Sequence, residues 1–200
     1  MNGLREIFWN EQAGLPLLLC LQLLPLIGAA VVYALKERAS AVLLGKVFAL
    51  AELGLAIIVV SRINPLSPAL QLAERFAPLA YHVAVDGLSL LFVLSTALLT
   101  LLMTLYGMSR GMISPGRLFA VLLLAEAGLI GMLVTVNVAW FAAFSALELW
   151  SVVYLLRRWA SSRAEIQALA RFVQYQAFGW ALFAAGCLVL GWGHAEATGG

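Results

Sequence analysis

Charge is what this sequence has least of: of 200 residues only 11% are Asp, Glu, Lys or Arg, while 64% are apolar, and mean hydropathy is strongly positive. A water-soluble domain of this length carries about a quarter charged residues, so the deficit excludes a soluble fold. Histidine and cysteine are also scarce, two of each. Cys20 and Cys187 fall inside apolar runs, and His82 and His194 stand apart outside them. That scarcity argues against a disulfide framework and against a metal or haem site built by this chain alone. No glycine-rich phosphate loop and no nucleophile elbow occurs, so no self-contained active site is expected. The net charge of +2 gives no basic surface for nucleic acid.

What is present is a series of long apolar runs. About 20 apolar residues cross a bilayer core as a helix. Six such spans are expected at 14–35, 41–60, 88–106, 118–136, 138–156 and 172–192, using nearly the whole chain. The predicted fold class is therefore all-α, a polytopic membrane protein with six transmembrane helices. Arg5, Glu6 and Glu11 precede a first run without a small-residue cleavage site, which reads as a mature helix rather than a signal peptide.

The connections carry their own signals. In 61–87, Asn64, Pro65, Ser67, Pro68 and Pro78 oppose a continuous helix. Within it, 70–76 is expected to form a short interfacial helix. Asp86 and Gly87 lead into the third span, with Asp86 as the capping acceptor. Ser114 and Pro115 mark the start of the fourth. Asn137 alone separates spans four and five, a tight hairpin with Asn tolerating a left-handed backbone. Residues 157–171 are a basic connection, and 194–200 a flexible tail. Tryptophans such as Trp9, Trp159 and Trp192 lie near span ends as interfacial anchors.

Counting basic residues orients the chain. The connections after spans one, three and five, with their helix ends, hold Lys36, Arg38, Lys46, Arg110, Arg117, Arg157, Arg158, Arg163 and Arg171, against Arg5, Arg62 and Arg75 on the other side. Excess positive charge stays in the cytoplasm, so both termini and the 61–87 connection are expected outside it.

Three acids lie where they are costly. Glu52, Glu126 and Glu148 fall near the middles of spans two, four and five. A central carboxylate costs about 3 kcal/mol on insertion scales. Acids at one depth suggest a polar layer of the kind proton and ion pathways use; the plainer reading is neutral carboxyls joining helices. Both readings stay open for Glu126 and Glu52, and pairing of Glu52 with Lys46 along their helix is a further possibility. Gln174 and Gln176 near the start of span six either continue a path or join helices.

Three segments carry a resemblance: His82-Val-Ala-Val-Asp86-Gly87-Leu88-Ser89-Leu90-Leu91-Phe92; residues 141–156 around Glu148; and Arg171-Phe-Val-Gln174-Tyr-Gln176-Ala-Phe-Gly179. Together they resemble the antiporter-like membrane subunits of respiratory complex I, a family shared with membrane-bound hydrogenases and multisubunit cation/proton antiporters. The likeness covers the whole chain and divides it into an N-terminal three-helix group (1–107), three helices of a first antiporter repeat (108–193) and the tail.

The resemblance implies several things. Glu148 is the membrane-embedded acid of a proton or cation pathway, aided by Glu126, Glu52, Lys46, Gln174 and Gln176. The segment Asp86, Gly87 and Ser89 is the family's motif leading into its third helix. The chain binds no cofactor, redox chemistry belongs to other subunits of a quinone-reducing or hydrogenase-like translocase, and the setting is a bacterial inner membrane. Family members are longer, with a broken seventh helix and a lysine paired with the glutamate. Neither occurs in this sequence, so a neighbouring membrane subunit is expected to supply a lysine-bearing helix. Two alternatives accompany this reading: a shortened subunit of an inorganic-carbon uptake or cation/proton antiporter complex, and a non-conducting structural or assembly module.

Overall fold

The computed structural model describes residues 15–38, 40–64, 69–76, 79–109, 115–160 and 162–198. The readings placed on Arg5, Glu6, Trp9, Glu11, Pro65, Ser67, Pro68, Pro78, Arg110 and Ser114 lie outside these residues. Six helices follow in chain order: α1 (Leu17–Ala34), α2 (Ser40–Ser61), α3 (Gly87–Ser109), α4 (Pro115–Val134), α5 (Val138–Trp159) and α6 (Arg163–Thr198). All six are long and apolar enough to cross a membrane. The expectation of an all-α polytopic membrane protein with six transmembrane helices is borne out.

Compact packing divides the chain into two units, Met1–Glu148 and Leu149–Gly200. In the first, helices approach through small residues, as apolar helices must when lipid offers no hydrophobic incentive to associate. A Cβ built at Gly28 of α1 would lie 2.8 Å from Phe48 of α2, and one at Gly45 of α2 2.9 Å from Phe119 of α4. One at Gly131 of α4 would run into the Phe144 ring of α5. Each glycine thus makes room for an aromatic ring on a neighbouring helix. Pro25 lies buried inside α1, where it removes one backbone donor and loosens the helix locally.

The segment expected as an interfacial helix is instead a strand. Residues Gln71–Phe76 (β1) pair antiparallel with Tyr81–Val85 (β2), with a bulge between Gln71 and Glu74 and a left-handed backbone at Leu72 (φ 52°) and Ala80 (φ 46°). The physical reason is tertiary. The Val83 and Val85 side chains are buried, and Val83 bridges to Thr135 beyond α4. The Val136 amide donates to His82 O at 2.9 Å, Asn137 Nδ2 to Ala80 O at 3.1 Å, and Trp140 Nε1 to Leu79 O at 3.0 Å. Tyr81 packs against the Trp140 and Phe144 rings at 5.2 and 6.0 Å. The turn and β2 are thus held along one edge against the α4–α5 corner, and the other edge of β2 offers backbone partners to residues 71–76, which pair there instead of coiling.

Two further expectations are corrected. Asn137 does not take a left-handed backbone; its Oδ1 accepts from the Ala139 amide at 2.9 Å, so it caps α5. α6 starts at Arg163 and runs to Thr198, taking in part of the basic connection 157–171 and most of the tail at 194–200. A reciprocal cap explains the early start: the Ser162 amide donates to Glu165 Oε2 at 3.0 Å, and the Glu165 amide to Ser162 Oγ at 3.1 Å. Residues 163–170, Arg-Ala-Glu-Ile-Gln-Ala-Leu-Ala, are nearly all strong helix formers, and so is Ala-Glu-Ala near the end.

Candidate functional site: a layer of buried polar groups

The buried face of α2 is made of Ala41, Gly45, Ala49, Glu52, Ala56 and Val59. These residues recur every three or four positions, so they form one stripe along the helix. α4 runs parallel to α2: a Cβ at Gly116 would lie 3.1 Å from Ala41 Cβ, and one at Gly45 2.9 Å from Phe119. Seven residues further along each helix, two turns, stand Glu52 and Glu126. The two carboxyls accordingly share one level of the α2–α4 interface. Both side chains are fully buried, at 0% and 1% exposure.

All four carboxyl oxygens of this pair lack a hydrogen-bond partner. The Thr100 hydroxyl, on α3, lies alongside Glu126 without reaching hydrogen-bond geometry. Lys46 does not pair with Glu52, whereas Arg117 and Glu37 do form an ion pair, 3.2 Å, near the opposite end of the bundle from the hairpin. The correction has a geometric cause. Six residues separate Lys46 from Glu52, a rise of about 9 Å and a rotation of about 240°, so the lysine points away from the buried stripe.

A fourth polar residue belongs to this layer, one the sequence reading passed over. Gln22 of α1 is 2% exposed, and its Nε2 donates to Ala127 O at 2.9 Å, one residue from Glu126. Its Oε1 is buried and has no donor. The signal was available: Gln22 is the single strongly polar residue between Gly14 and Lys36.

Glu148 sits on the other flank of α4. A Cβ at Gly128 would lie 2.9 Å from both the Cβ and the amide nitrogen of Glu148, so α5 is seated against α4 at this residue. Positions 126 and 128 differ by about 200° around the helix, which turns Glu126 toward α2 while Gly128 faces α5. Glu148 is half-buried, and no described residue forms a hydrogen bond or ion pair with its carboxyl. Residues 126–128 of α4 are thus the common level of Glu52, Glu126, Gln22 and Glu148. Gln174 and Gln176 lie exposed on α6 of the second unit.

Asp86, Gly87 and Ser89 serve the helix start: the Ser89 amide donates to Asp86 Oδ1 at 2.7 Å. That backbone donor holds the Asp86 carboxyl below its ordinary range. On the same side of the bundle, Glu74 of β1 accepts from the Leu18 and Leu19 amides at 2.9 and 3.0 Å. A strand carboxylate thereby closes the first turn of α1, whose own Pro16 provides no side-chain cap. Burial pushes the Glu74 carboxyl up, and the α1 amides only partly offset it. Among the described residues, no group of three His, Cys, Asp or Glu side chains is placed to hold a metal ion.

Fold and site together define a multi-pass membrane protein that holds several carboxyls inside its helix bundle. No family model matches the chain. It is 29% identical over 153 residues to F(420)H(2) dehydrogenase subunit M of Methanosarcina mazei, a match covering 74% of this chain and 31% of that protein. Its fold is similar to that of a chain of the membrane-bound sulfane sulfur reductase, an archaeal respiratory membrane complex. There the TM-score is 0.70 and the identity 19%, over 86% of this chain and 36% of the other. The chain thus spans about a third of the length of each relative. These similarities bear out the resemblance to complex I-like, antiporter-type membrane subunits.

Proposed function

We propose that this chain is a membrane-arm subunit of a complex I-like ion-translocating assembly and contributes to a proton or cation pathway through Glu148. One observation carries the reading. Glu148 is the carboxyl of the layer that is half-buried rather than sealed, seated against Gly128 with no cation from the described residues beside it. A carboxylate in such a place is costly unless another charge answers it. A lysine-bearing helix of a neighbouring membrane subunit supplies that charge, and ions move as the pair forms and separates. The chain itself binds no cofactor in this reading, and electron transfer takes place in other subunits. The membrane is a cytoplasmic one, which the sequence suggests is bacterial, while the two relatives named above are archaeal.

Replacing Glu148 by Gln tests the proposal, because the amide keeps the size of the side chain but cannot cycle a proton. In the fully assembled complex, E148Q is expected to reduce ion pumping at least about tenfold, equivalent to losing roughly 1.4 kcal/mol from the limiting step. Pumping at the wild-type rate would leave a structural or assembly role for the chain.

A further inference from the structure

Glu52 and Glu126 are more deeply enclosed than Glu148, and nothing in the proposed pathway requires them to be. Their arrangement has its own chemistry. Two carboxyls lie at one level of the α2–α4 interface with four buried oxygens unpartnered. A third group, Gln22 from α1, is 2% exposed and anchored by its amide nitrogen to residue 127, leaving Oε1 unpartnered at the same level. All five orphan atoms are oxygens, and a layer of acceptors without donors is what a bound cation or proton completes.

The surroundings narrow the ligand. α1 presents Gln22, α3 presents Thr100, and Glu148 of α5 lies behind α4. Lys46, the basic residue of α2, points away from the stripe. No described cation reaches the pair, so two ionised carboxylates here would leave two buried negative charges at one level with nothing to offset their desolvation. A dehydrated metal ion takes about six oxygens, and a proton needs two. A single shared proton supplies one donor, which the facing carboxylate oxygen accepts; the Thr100 hydroxyl can donate to a remaining carboxyl oxygen, and a hydroxyl free to donate to Gln22 Oε1 appears when the second carboxyl is protonated as well.

We propose that Glu52 and Glu126 form a proton-binding site of their own, in which the two carboxyls share protons across the α2–α4 interface and Gln22 Oε1 serves as the third oxygen. The site is separated from Glu148 by the body of α4, so it is a second store in the same membrane layer. Its occupant is a proton that the pair takes up as a unit.

Infrared difference spectra of the intact complex in membranes, wild type against variant, read the protonated-carboxyl C=O stretch and its response to pH. Glu52→Gln is expected to remove one contribution and to move the pH midpoint of the remaining Glu126 band by at least about one unit, the signature of coupled titration. Glu126→Gln is expected to do the same to Glu52. Gln22→Leu leaves both carboxyls in place and is expected to shift the band frequency; because it is apolar and of similar size, it also serves if the Glu variants fail to assemble. A Glu126 band indifferent to Glu52, a wild-type band unmoved in Gln22→Leu, or a band that answers to Na⁺ at fixed pH would each overturn the proposal. The spectrum is also taken in Glu148→Gln, where the pair's band is expected to persist whether or not that variant pumps. The two proposals therefore fail separately.

Discussion

At the scale of single residues, the informative groups are those whose polar atoms are answered at a distance in the chain. Glu74 is one: 55 and 56 residues separate it from the amides it accepts. Burial raises its carboxyl above the ordinary range, so the folded protein holds that proton more tightly than the unfolded chain does. The contribution is therefore full below the unfolded value and is lost as pH rises through the folded one. Glu74→Gln, which cannot ionise, should gain stability relative to wild type as pH is raised through that window, read as the difference between thermal unfolding curves in detergent. Asp86 has the opposite sign. Its folded value is depressed, so its contribution is present above the unfolded value and fades as pH falls. Asp86→Ala should cost about 1 kcal/mol at neutral pH through loss of the α3 cap, with less penalty in acid.

At the scale of elements, glycine decides where helices meet. Gly128 lets the backbone of α5 approach α4 at Glu148 itself; an alanine methyl there would lie 2.9 Å from a main-chain nitrogen, which cannot swing aside like a ring. Gly128→Ala should displace α5, destabilise the bundle by about 1–3 kcal/mol and disturb Glu148 along with it. A thermal shift with impaired pumping checks this, and an unchanged melting temperature would refute it. The start of α6 offers a gentler case. Ser162→Ala removes half of the reciprocal cap and should cost about 0.5–1 kcal/mol, visible as faster amide exchange over the first turn of α6 and not in α1–α4.

At the scale of the whole molecule, charge and apolar length decide how the chain lies in the bilayer. The hairpin gathers at the end of the first unit where α1, α3 and α5 begin, whereas Lys36, Glu37 and Arg117 gather where α1 ends and α4 begins. In a background of Cys20→Ser and Cys187→Ser, a cysteine at Leu79 should be labelled on intact cells by a membrane-impermeant maleimide. One at Arg38 should need permeabilised cells. The reverse pattern would overturn the orientation read from the basic residues.

Six helices, and the three carboxyls they enclose, were legible in the sequence because both follow from local sums: an apolar run long enough to span forms a helix whatever surrounds it, and a charge within such a run is conspicuous by its cost. The resemblance to antiporter-type subunits was legible too, through the segments around Asp86 and Glu148. Tertiary structure alone decided the rest. Residues 71–76 became a strand because Thr135, Val136, Asn137 and Trp140 hold residues 79–83 in place and leave the other edge of β2 to pair with them. Glu52 came level with Glu126 instead of pairing with Lys46, and Gln22 came to the same level, because parallel packing through Gly45 and Gly116 brings distant turns together. Periodicity gives the face a residue occupies on its own helix. Which face of which other helix it meets depends on contacts between segments far apart in the chain, and those exist only once the chain has folded.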